Sequence, residues 1–164
     1  MKRIYRNIIA AITCVALAAG VSACQEADPE FEHPNNLISV MYLQIVQASG
    51  GVPGVIYEYN AQGELVPTEQ VTLETVKGGY GKIVFELDPS LKDTYDLEHC
   101  YLNTSLTFDE IVTPGLGGQH NIVNRDENGV ARGINITVTS GTGDVRPYNI
   151  IGYFEGEEVL PPVE

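Results

Sequence analysis

Gly133-Ile134-Asn135-Ile136-Thr137-Val138-Thr139 decides the fold class. Successive side chains of an extended chain point to opposite faces, so Ile134, Ile136 and Val138 share one side while Asn135, Thr137 and Thr139 share the other. This is a strand with one face on a core and one face in water. Ser140-Gly141-Thr142-Gly143-Asp144 follows with the composition of a tight turn, and Pro147–Phe154 returns as a partner strand. Working outward, Leu37–Val46, Val55–Tyr59, Val71–Val76, Lys82–Leu87 and Cys100–Phe108 have the same texture, rich in Val, Ile, Thr, Tyr and Leu. Asn60-Ala61-Gln62-Gly63 reads as the loop of a further hairpin between Tyr59 and Glu64-Leu65-Val66. The remaining joints are Gly- and Pro-rich, and Pro89–Leu97 is the one helical-looking patch, a crossover of two turns at most. The expectation is an all-β chain, an antiparallel β-sandwich of about seven or eight strands spanning residues 37–154.

The N-terminal end has a different character. Lys2, Arg3 and Arg6 precede an apolar run from Ile8 to Val21, and Val21-Ser22-Ala23-Cys24 closes it. A charged start, an apolar stretch below the roughly 20 residues of a membrane span and a small-residue exit describe a secretory signal peptide. The ending resembles the lipobox of bacterial lipoproteins. That resemblance implies that residues 1–23 are removed and that Cys24 becomes an acylated N-terminus. Ordinary secretory cleavage after Ala23 is the alternative. Residues 24–36 then form an acidic stalk with Pro29 and Pro34, and residues 155–164 an acidic, proline-ended tail. Acidic residues directly after the cysteine resemble the surface-export signal of Bacteroides-type lipoproteins; a plain solvated linker reads the same way.

Removing residues 1–23 takes three of the nine basic residues and none of the 22 acidic ones, leaving a formal charge of −16 over 141 residues. Such a surface repels nucleic acid and gives no electrostatic grip on anionic lipid. With Cys24 acylated, Cys100 is the only thiol of the body, so no internal disulfide forms. Cys100 and Leu102 share a strand face, which makes a small buried residue of Cys100 rather than a nucleophile beside His99.

Lys82–Pro89, Leu97–Leu106, Ile111–Gly118 and Ile134–Ile150, closing on Ile-x-Val-Thr, a turn and Tyr-x-Ile, resemble in succession the DUF5018-type domains of Bacteroides-type lipoproteins and, more distantly, cadherin-like repeats. The likeness covers roughly residues 37–152. It implies an Ig-like sandwich at the cell surface and carries over no catalytic residue. Ser49–Gly81 departs from the pattern by an extra hairpin, the place to look for a site peculiar to this chain.

The residues bear on three chemistries. Tyr57 and Tyr59 lie on one strand face beside Asn60, a flat aromatic platform with a polar neighbour of the kind that binds sugars. Asn124, Asp126 and Asn128 alternate before Gly129 like the opening of a calcium loop, but position twelve of such a loop is Asn135 rather than Glu, so an ordinary Asp/Asn/Gly turn is the favoured reading. No cofactor other than calcium is suggested. His33, His99 and His120 are scattered and no nucleophile, zinc or phosphate-binding motif occurs, so the expectation is not an enzyme. The reading from sequence is an outer-membrane, surface-exposed lipoprotein anchored through Cys24 that acts as a non-catalytic binding module accessory to glycan capture. The alternative is a structural or adhesive module contacting another outer-membrane protein through a sheet edge.

Overall fold

The computed structural model describes residues 32–46, 50–106 and 109–157. The expected signal peptide at residues 1–23, Cys24, most of the expected stalk and the last part of the expected tail lie outside these residues. The chain is all-β. Its strands are β1 (Met41–Gln44), β2 (Val52–Pro53), β3 (Val55–Tyr59), β4 (Leu65–Val66), β5 (Gly81–Leu87), β6 (Cys100–Thr104), β7 (Ile111–Thr113), β8 (Gln119–His120), β9 (Ile134–Thr139) and β10 (Val145–Phe154). They form a four-stranded sheet ordered β2-β1-β6-β8 and a six-stranded sheet ordered β4-β3-β5-β10-β9-β7.

Alternation builds the core between the sheets. Met41 and Leu43 of β1 and Cys100 and Leu102 of β6 come from one sheet. Ile83, Phe85 and Leu87 of β5, Ile136 and Val138 of β9, and Tyr148 and Ile150 of β10 come from the other. Two apolar faces buried against each other are the sandwich that the sequence predicts.

Three details differ from the sequence reading. The short pairings β2, β7 and β8 raise the described strands to ten. Secondly, the centre of the larger sheet is not antiparallel: β10 runs parallel to β5 from Tyr148↔Gly81 to Phe154↔Leu87 and antiparallel to β9. Gly81 permits this packing, since a Cβ there would lie 2.0 Å from the Tyr148 ring. Thirdly, Val71–Val76 is no strand. Thr72 and Thr75 hydrogen-bond each other's backbone N–H through their hydroxyls at 2.8 and 3.2 Å, and Val76 N–H donates to the Thr72 carbonyl at 3.2 Å. Side-chain to backbone bonding of this kind competes with a ladder and curls the segment into a turn.

The body also begins before Leu37. The His33 N–H donates to Asp109 at 2.6 Å, the Asn35 amide bonds Glu110, and Ile38 N–H donates to the Tyr148 hydroxyl at 3.0 Å. His33–Asn36 therefore belong with the folded unit rather than with the stalk.

Candidate functional site

The outer face of the six-stranded sheet can be read row by row from its register. One row crosses all six strands: Leu65, Tyr59, then Tyr80 just before β5, Pro147, Thr137 and Thr113. The next holds Tyr57, Lys82, Asn149 and Asn135. Neighbouring strands lie about 4.8 Å apart, so each pair within a row is in side-chain contact range. A third row, Val55, Val84 and Ile151, is apolar.

The Tyr59 and Tyr80 rings stack with centroids 4.6 Å apart and planes 10° from parallel. Burial raises the Tyr59 phenol above its ordinary range, with Tyr80 and Tyr57 adding to it. Its hydroxyl is thus a neutral hydrogen-bonding group at physiological pH. Beside the stack lies an open depression of about 430 Å³. Tyr80 and Pro147 supply its apolar surfaces, and Thr113, Thr137, Asn135 and Asn149 its polar ones. Asn149 donates its amide to Asn135 Oδ1 at 2.9 Å, and Thr137 donates its hydroxyl to the Thr113 carbonyl at 3.1 Å. Those bonds fix the rim, and among the described residues the Asn135 amide nitrogen and the Asn149 side-chain oxygen make no further hydrogen bond.

Directly beneath, on the inner face, Arg146 and Glu58 form a buried ion pair. The guanidinium also donates to the carbonyls of Val76 at 2.6 Å, Tyr80 at 2.9 Å and Tyr59 at 3.2 Å. Tyr148 donates its hydroxyl to Glu58 at 2.8 Å. Burial pushes the Glu58 carboxyl up, against the opposing pull of Tyr148 and Arg146. The cluster holds the backbone of both stacked tyrosines in place, so the platform above it is preorganised. Little conformational freedom remains to be lost on binding.

The other sequence candidates separate. Tyr57 and Tyr59 share the outer face as expected, and Tyr57 is 37% exposed. Asn60 does not join them: its Oδ1 accepts from Gln62 N–H at 3.0 Å and Glu64 N–H at 2.9 Å, and its amide donates to Glu64, so it builds the β3–β4 turn. Around Asn124–Gly129, Asp126 accepts from the N–H groups of Asn128 and Val130 and forms an ion pair with Arg132 at 2.8 Å. Asn124 turns its amide to the Gly133 carbonyl at 3.0 Å. Asp126 thus serves the turn and Arg132, and among the described residues no three His, Cys, Asp or Glu side chains meet as metal ligands. Cys100 packs in the core with its thiol pushed up to about 12 by burial, so it is protonated at neutral pH. His99 pairs with Asp96 at 2.9 Å and His33 with Asp109 at 3.3 Å.

Sequence reasoning found the polar side of β9 but not the residues it faces. Tyr80, Lys82, Pro147 and Asn149 gain meaning only when β10 is laid beside β5, a pairing across more than sixty residues. Compared with known proteins, the chain matches no family model, no curated protein and no solved structure.

Proposed function

We propose that this protein is an exported, lipid-anchored and non-catalytic binding module of the outer membrane, and that the outer face of its six-stranded sheet captures glycans. The observation that carries the reading is the depression beside the Tyr59–Tyr80 stack, where a rigid aromatic wall meets paired Asn and Thr side chains. Sugar rings present apolar C–H faces and a rim of hydroxyls, and such a surface offers both complements. A preformed aromatic anchor with a few placed polar groups is the common form of a small-ligand site. The adhesive alternative has less support: the edge strands β4, β2, β7 and β8 are two or three residues long, and Pro53 interrupts one of them. Short edges blunt strand addition.

The test is a glycan array probed with the full chain, in calcium and again in EDTA, beside Tyr80→Ala. Binding that survives EDTA and drops at least about tenfold in Tyr80→Ala, as loss of an anchoring ring implies, supports the reading. An array without specific signal contradicts it. Binding abolished by EDTA would return attention to Asn124, Asp126 and Asn128. Anchoring is tested separately: Cys24→Ala should move the protein from the membrane to the soluble fraction.

A further inference from the structure

The glycan reading leaves one residue of the face unexplained. Lys82 lies half-buried in the second row between Tyr57 and Asn149, and Asn149, its register neighbour on β10, lines the depression. The chain carries far more acidic than basic residues, and most of the described Lys and Arg residues are taken. Lys92 and Arg125 pair with Glu157, Arg132 with Asp126 and Arg146 with Glu58. Among the described residues only Lys82 and Lys77 have no ion pair, and Lys77 stands exposed on a turn. Lys82 is partly stripped of water by its neighbours, which lowers its ammonium below the ordinary lysine range. A desolvated charge without a counter-charge is unfavourable in the free protein and becomes favourable when a ligand supplies the partner.

We infer that the site takes an acidic saccharide, with the ring against Tyr80, hydroxyls on Asn135 and Asn149, and the carboxylate or sulfate of the sugar on the Lys82 ammonium. This rests on the glycan reading and narrows it. The strongly negative chain does not oppose it at short range. Exposed charges more than about 8 Å away are largely screened at physiological salt, whereas a contact on a half-buried ammonium is screened much less. The effect of the overall charge falls on the rate of encounter, which slows at low salt.

The experiment compares three probes on the full chain by calorimetry: a uronic-acid oligosaccharide, the same oligosaccharide with its carboxylates reduced to alcohols, and a sulfate-ester oligosaccharide. Wild type should bind one of the acidic probes about ten- to a hundredfold more tightly than the reduced one, the range expected of a charge-assisted hydrogen bond. The preferred arm tells carboxylate from sulfate. Lys82→Met should lose that preference and keep the weaker binding of the reduced probe, while Lys82→Arg retains a preference for acid. Equal binding of the reduced and acidic probes, with Lys82→Met unaffected, overturns the inference and leaves the glycan reading standing. No binding of any probe, together with an empty array, overturns both. Thermal midpoints within a few degrees of wild type confirm that both variants are folded.

Discussion

The two faces of the six-stranded sheet each carry one cation, and they are used in opposite ways. Arg146 points inward and is enclosed, bonded to Glu58 and to three backbone carbonyls. Lys82, one strand away on the outer face, has no ion pair among the described residues. Both lose water, yet only one regains an equivalent within the protein. The choice of side chain fits the difference. A guanidinium offers five donors in a fixed fork suited to several acceptors at once, whereas an ammonium is a compact charge on a flexible stem. The contrast teaches that the inner face is built for shape and the outer face retains unspent interactions.

The inner face breaks most severely. Arg146→Met leaves Glu58 buried without its counter-charge, and loss of about 3–5 kcal/mol is expected in urea unfolding. Adding Glu58→Leu to that variant should recover part of the loss, because the isolated charge is then gone. Tyr148→Phe comes next. It removes the bond to Glu58 and the acceptor for Ile38 N–H, and about 1–3 kcal/mol should be lost in the same measurement.

Acid sharpens the comparison with two half-buried carboxylates, Asp109 and Asp126. Backbone N–H groups, with His33 or Arg132, hold Asp109 and Asp126 below their ordinary value of 3.8. The unfolded chain therefore takes up these protons first. Their contribution is full above that value and disappears as pH falls below it, so the urea midpoint should decline below about pH 4. Asp126→Asn should flatten that decline.

The smallest effect belongs to Lys82→Met, with a change within about 0.5 kcal/mol at neutral pH because no contact is broken. Its signature lies in alkali. Burial depresses the folded ammonium, so the unfolded chain holds the proton longer, up to the ordinary 10.5. Wild-type stability should thus gain a small increment as pH rises into that window, and Lys82→Met should lack it.

Local pattern was enough for much of this molecule. The alternation in Ile134–Thr139 places Ile136 and Val138 in the core and Asn135 and Thr137 outside, as the structure has them. The loops at Asn60–Gly63 and Ser140–Asp144 join the strands expected of them. Val71–Val76 misled because β-branched residues favour strands on average, while here two threonines spend their hydroxyls on the backbone. The parallel pairing of β5 with β10 has no local signature. Without it Lys82 and Asn149 are unrelated residues, and the site could be glimpsed only through Tyr57 and Tyr59. Arg146 was equally silent, since nothing near it in sequence announces a buried partner at Glu58.

Backbone amide NMR of the full chain, titrated with the uronic-acid oligosaccharide, locates the ligand on the outer face, at its Tyr80–Lys82 end or elsewhere. Shifts should concentrate at Tyr80–Lys82, Asn135–Thr137 and Tyr148–Asn149, saturate with ligand and be absent in Tyr80→Ala. Shifts confined to Asn124–Gly129 or to β7, or a spectrum that does not change, would contradict binding at the Tyr80–Lys82 end.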